Sequence, residues 1–165
     1  MSDRKSLVAF IDGGSRGNPG VAGAGVHLEL NGVPWRGLYR YLGSRTNNFA
    51  EYSALLEALR YVLREGYRKI ETYSDSELLV RQILGQYRVK NPVLQELYRE
   101  AQDLIRRLDS FKIQHIPREQ NRAADALANR AQDEMADGEV AYPAEKPEAG
   151  SQEPEEKKSG VRREN

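Results

Sequence analysis

The chain has 165 residues, of which 39% are hydrophobic and 30% charged, enough for one domain with its own core. It has no cysteine and only His27 and His115, which excludes disulfides and thiolate zinc sites and leaves no ready zinc ligand set. The formal net charge of zero hides an asymmetry: residues 133–165 hold ten acids and five bases, which leaves 15 acids and 20 bases in 1–132, a mildly basic body suited to a polyanionic partner.

In chain order, Met1-Ser2-Asp3-Arg4-Lys5 shows no signal-peptide pattern, and no later apolar run is long enough to span a membrane, so the cytoplasm is expected. Leu7-Val8-Ala9-Phe10-Ile11 is continuously apolar and reads as a central strand ending at Asp12. Gly13 to Gly20 reads as a turn by composition. Two strands follow, over about 22–30 and 34–42, joined by the hairpin dipeptide Asn31-Gly32. A helix over about 48–65 carries Tyr52, Leu55, Leu56, Leu59 and Leu63 at helical spacing, with Gly66 as its C-cap. Residues 69–74 form a fourth strand ending at Asp75, 76–84 a short helix and 92–108 a longer one. Residues 111–116 alternate as a fifth strand, and a last helix runs from about Asn121, a good N-cap residue, to about Met135.

The expected fold is therefore α/β: a mixed five-stranded sheet, three antiparallel strands and then two parallel ones, flanked by helices. Residues 1–136 form the domain. From Asp137 the chain turns to Pro, Glu and Lys with few large apolar groups, so 137–165 is expected to be a disordered acidic tail.

Four carboxylates sit where an acid should be a liability. Asp12 and Asp75 end strands that should be parallel neighbours, at the edge where open α/β sheets form ligand sites. Glu51 shares a helix stripe with Leu55, Ala58 and Val62, and Asp125 lies among Ala124, Ala126, Leu127 and Ala128. Singly, each reads as a terminal carboxylate in water; together they favour a shared site. Brought together, they need protons or cations, and hard oxygen ligands suit divalent metal.

These residues carry a resemblance. Asp12-Gly13-Gly14-Ser15-Arg16-Gly17-Asn18-Pro19-Gly20, Thr46-Asn47-Asn48-Phe49-Ala50-Glu51, Tyr73-Ser74-Asp75-Ser76 and Asn121-Arg122-Ala123-Ala124-Asp125-Ala126-Leu127-Ala128, in this order, resemble the motifs of ribonuclease HI and the retroviral-type ribonuclease H domains over about 6–132. The resemblance implies the ribonuclease H-like fold and an endonuclease that cuts the RNA strand of an RNA–DNA hybrid, leaving 5′-phosphate and 3′-hydroxyl ends. It implies two Mg²⁺ ions per site, with Mn²⁺ as a substitute: Asp12 bridges both, Glu51 and Asp75 serve one, Asp125 the other. It assigns substrate contacts to Gly13, Gly14, Ser15, Asn18, Asn47 and Asn48, with Asn18 and Thr46 as candidates for a DNA-strand phosphate. Asn amides both donate and accept, which suits the 2′-hydroxyl that separates RNA from DNA. Turn chemistry alone would also choose Asn18-Pro19-Gly20.

The chain departs from the family pattern in three places. The histidine that many members carry in the loop before the last acid is missing from Pro117-Arg118-Glu119-Gln120, and Arg118 is the expected auxiliary cation. His115, in phase with Phe111 and Ile113, is expected to be structural. The basic protrusion is reduced to 85–91, with Arg88, Lys90 and Arg81 supplying charge, so binding should depend strongly on salt. The acidic tail has no expected role. Two alternatives stay open: a non-catalytic nucleic-acid-binding module on the same fold, and a nuclease of broader range that also cuts double-stranded RNA. A 3′–5′ exonuclease is disfavoured, because Gly14 stands where Asp-x-Glu would place its second acid. No membrane and no obligate protein partner are expected, and monomer is the default.

Overall fold

The computed structural model describes residues 7–143 and the backbone of 155–158. The elements are β1 (Leu7–Arg16), β2 (Gly20–Leu30), β3 (Val33–Arg45), α1 (Asn47–Arg64), β4 (Lys69–Ser74), α2 (Glu77–Ile83), α3 (Pro92–Arg106), β5 (Ser110–His115), a single 3-10 turn (Arg118–Gln120), α4 (Arg122–Glu134), β6 (Gly138–Ala141) and β7 (Glu155–Lys158). They build one mixed sheet in the order β5-β4-β1-β2-β3-β6-β7. As expected, β1, β2 and β3 form an antiparallel meander, and β4 and β5 add on the far side in parallel register.

Among the described residues the sheet has seven strands rather than five. Two of them, β6 and β7, fall inside the segment expected to be a disordered tail. β6 pairs antiparallel with β3, burying Val140, and Asp137 Oδ1 accepts from Tyr41 N at 2.8 Å. Four residues with one large apolar side chain are too short for a composition reading to separate from a tail. The structure they adopt is decided by the open edge of β3. The remainder of that segment, 144–154 and 159–165, lies outside the described residues.

Strand β1 also runs longer than its sequence suggests. It does not stop at Asp12. It continues through Gly13, Gly14 and Ser15 to Arg16, paired with β2 throughout, and only Gly17, Asn18 and Pro19 make the turn. The pairing with β4 does end at Ile11 opposite Ser74. Asp12 is therefore mid-strand toward β2 and terminal toward β4, at the point where the parallel part of the sheet opens.

Most of the apolar mass lies between the sheet and α1. Tyr52, Leu55, Leu56, Leu59 and Val62 are buried there, and α3 closes the outside with Leu94, Ala101 and Leu104. The one polar group in that stripe is satisfied: Tyr52 Oη donates to Gln82 Oε1 at 2.7 Å, and Gln82 Nε2 donates to Arg88 O at 3.1 Å. On the opposite face, α4 lies across β1, β2 and β3. Among the described residues no helix is long and apolar enough to cross a membrane.

Candidate active site

Small residues bring α1 to β1. Thr46 caps the helix, its Oγ1 accepting from Phe49 N at 3.1 Å. At Gly13 a Cβ would stand 2.2 Å from the Ala50 carbonyl carbon and 2.6 Å from Glu51 N, so only glycine lets the helix backbone approach this closely. The approach carries Glu51 to the strand: its Oε1 accepts from Gly13 N at 3.1 Å.

The last helix is seated by the same device. A Cβ on Gly25 would lie 2.3 Å from Ala124 O and 2.5 Å from Ala128 N. With Ala124, Ala128 and Ala131 facing glycines, α4 packs backbone against backbone and brings Asp125 to the cavity that Asp12 lines. Asn121 holds the start of the helix. It occupies the N-cap position, but its side chain makes no cap; Nδ2 donates instead to Ile11 O at 2.9 Å, immediately before Asp12, in a fully buried position.

Asp75 follows β4 directly and completes the group. One oxygen each from Asp12, Glu51 and Asp75 lie within 4.8 Å of one another, a set able to hold a metal ion. All four acids line one cavity of about 500 Å³. Removal from water, and then the Asp75 carboxylate, push the Asp12 carboxyl up to about 8. Glu51 is held well above the usual carboxylate range by burial first and by Asp12 and Asp75 next. Without cations this cluster is electrostatically frustrated. A divalent cation would relieve it at neutral pH, and the donor set fits such an ion.

The other expected site residues divide between two places. Gly13, Gly14, Ser15, Asn47 and Arg118 line the acid cavity. Asn18, Thr46 and Asn48 line a second cavity of about 450 Å³ with Arg45, Phe49 and Asn91. A chain of hydrogen bonds joins the two: Ser15 N donates to Asn47 Oδ1 at 2.7 Å, and Asn47 N to Asn18 Oδ1 at 2.9 Å. His115 is exposed and lies outside the acid cavity, so the packed role expected from its phase with Ile113 is not seen. Sequence reasoning missed Arg16, Asn129 and Gln132, which also line the acid cavity. Asn129 and Gln132 carried a signal, for they fall one and two turns after Asp125 and Ala124 on the face that meets the sheet.

Residues 3–131 match the model of the family described as reverse transcriptase-like. The chain belongs to this family, that of the ribonuclease H-like domains. It is 40% identical over 128 residues to ribonuclease HI of Halobacterium salinarum, covering 76% of this chain and 64% of that protein. It is 37% identical over 137 residues to the bifunctional protein Rv2228c of Mycobacterium tuberculosis, covering 82% of this chain but only 38% of the relative. Its fold is similar to the crystal structure of LC11-RNase H1 in complex with RNA/DNA hybrid, with TM-score 0.74, 39% identity, and coverage of 79% of this chain and 99% of that one.

Proposed function

We propose that this ribonuclease H-like domain is a metal-dependent endonuclease that hydrolyses the RNA strand of RNA–DNA hybrids, leaving 5′-phosphate and 3′-hydroxyl ends. One observation carries the reading: four carboxylates from β1, α1, α4 and the end of β4 converge on one open cavity, two of them held above their ordinary pKa. Relatives named ribonuclease H, and a neighbour solved with RNA/DNA hybrid, support the substrate class.

Asp12, Glu51 and Asp75 would hold one Mg²⁺, and Asp12 with Asp125 a second. When bound, these ions supply Lewis-acid stabilisation of charge at the phosphate during in-line hydrolysis. The chain's own groups do the rest. Gly13 N fixes the rotamer of Glu51, and Asn121 fixes α4 against the strand that bears Asp12. Arg118, on the 3-10 turn at the cavity wall, offers a permanent cation to the phosphate in the place of the missing loop histidine. Gly13, Gly14, Ser15 and Asn47 present backbone and amide groups to the RNA minor groove, where the 2′-hydroxyl is displayed. The second cavity, with Asn18 and Thr46, accepts a phosphate of the DNA strand, and Asn48 lies beside them.

A panel of end-labelled RNA–DNA hybrid, RNA duplex and DNA duplex tests this, each with Mg²⁺, Mn²⁺ or chelator. Cleavage of the RNA strand of the hybrid, abolished by chelator and leaving ends that a 5′-phosphate-dependent exonuclease accepts, is the expected result. Equal cleavage of the DNA duplex, or cutting that survives chelation, would overturn it.

A further inference from the structure

Arg16 has no assigned role, yet it stands on the face of β1 that carries the chemistry. Because β1 continues past Asp12, the two-residue period places Asp12, Gly14 and Arg16 on the same side of the sheet. Arg16 lines the acid cavity, and among the described residues the other cation lining it is Arg118. Its position is fixed from α4: Nη1 lies 2.8 Å from Asp133 Oδ1, and Nη2 donates to Asn129 Oδ1 at 3.1 Å. Asn129 is held in turn, its Nδ2 donating to the backbone carbonyl of Asp125 at 3.0 Å. The helix that supplies the fourth acid thus also sets a guanidinium at the rim of the same cavity.

A purely structural clamp is not needed here. Gln132, 6% exposed, already ties α4 to the hairpin, its Nε2 donating to Gly14 O at 3.2 Å and Val21 O at 3.1 Å. The Arg16–Asp133 pair, by contrast, is open to water, with side chains 46% and 65% exposed. Such a pair adds little to stability. A guanidinium has five N–H donors in a planar fork, so a phosphate can be bound without both bonds to α4 being given up.

We propose that Arg16 is a substrate-binding residue that holds a phosphate of the RNA strand adjoining the one presented to the four acids, with Asn129 and Asp133 as its positioning residues. The proposal rests on the hybrid-nuclease reading and adds to it a contact that sees charge rather than sequence.

The test is steady-state cleavage of two hybrids of unrelated sequence by the full chain with saturating Mg²⁺, over a series of salt concentrations. It compares wild type, Arg16→Ala and Arg16→Lys, with thermal melting of each. For Arg16→Ala the loss should fall on KM, about tenfold at low salt on both hybrids, and the slope of log kcat/KM against log salt should become shallower by about 0.9, the share of one phosphate contact. Arg16→Lys, which keeps the charge, should keep the wild-type slope. The melting temperature of both variants should stay within about 2 °C of wild type. An unchanged slope for Arg16→Ala, a loss confined to kcat, or a loss that tracks a fallen melting temperature would each make Arg16 a structural clamp and end the proposal. Failure of the wild type to cut either hybrid would instead remove the function on which it rests.

Discussion

Helices α1 and α4 pack on opposite faces of the same sheet and are built of opposite material. Over most of its length α1 meets the strands with Tyr52, Leu55, Leu56, Leu59 and Val62, all almost wholly buried. α4 meets them with Ala124, Ala128 and Ala131 over Gly23 and Gly25, where a Cβ would run into helix backbone. Bulk fills volume and removes apolar area from water, which stabilises. Its absence lets two backbones touch, which places side chains to within a fraction of an ångström. The start of α1 belongs to the second kind, since Ala50 sits on Gly13 just where Glu51 must reach the strand. This fold thus keeps stability and site geometry in separate places, so that substitutions can damage one and spare the other.

The largest effect should come from the stabilising side. Leu59→Ala removes a fully buried side chain from the α1 layer and should cost about 2–5 kcal/mol in denaturant unfolding, while turnover per folded molecule is kept. Next is Gly25→Ala. Its added methyl meets backbone atoms of α4 that cannot rotate away, so the helix must back off and take Asp125 with it. Turnover should fall roughly a hundredfold, the scale of a misplacement of about 1 Å, with a stability loss of no more than about 1–3 kcal/mol. Full activity together with a large drop in stability would erase the contrast between the helices. Arg118→Ala should lower kcat by about tenfold at saturating metal, roughly 1.4 kcal/mol of transition-state stabilisation. Unchanged turnover would leave Arg118 as an ordinary surface cation.

The smallest effect is on the pH dependence of stability, and its sign follows from Asp12. The folded protein holds this carboxyl up to about 8, whereas the ordinary value is 3.8. Between those values the folded state binds the extra proton, so stability present below about pH 4 is lost as pH rises toward 8. In chelator, the melting temperature should therefore fall by a few degrees, roughly 3 °C or more, between pH 5 and pH 9. Asp12→Asn, which cannot ionise, should flatten that fall, and so should Mg²⁺. A wild-type melting temperature that rises over this range would mean that the cluster is not electrostatically frustrated.

What the sequence made legible was the part governed by local pattern. The Leu55-Leu56-Leu59 stripe specifies α1, Asn31-Gly32 specifies the β2–β3 hairpin, and the isolated acids specify the cavity. What escaped was governed by partners distant in the chain. Gly13 and Gly14 looked like a turn because glycine disfavours strands, but Gly13 is there because α1 leaves no room for a Cβ. Reading that turn hid the alternation that puts Arg16 on the same face of the sheet as Asp12. Asn121 looked like a helix cap, but a carbonyl 110 residues earlier took its amide. The four residues of β6 had too little apolar content to be distinguished from the acidic segment after them, and β3 supplies the ladder they need.

On the proposed function, four converging acids form a cation site that drives cleavage of hybrid RNA. The most direct test compares wild type and Asp12→Asn on a labelled RNA–DNA hybrid, with Mg²⁺ and then with chelator. Wild type should cut the RNA strand in a metal-dependent way, and Asp12→Asn should lose roughly a thousandfold or more, despite an equal or higher melting temperature in the metal-free protein. Cutting by Asp12→Asn at the wild-type rate, or none by the wild type with Mg²⁺ or Mn²⁺, would contradict that function.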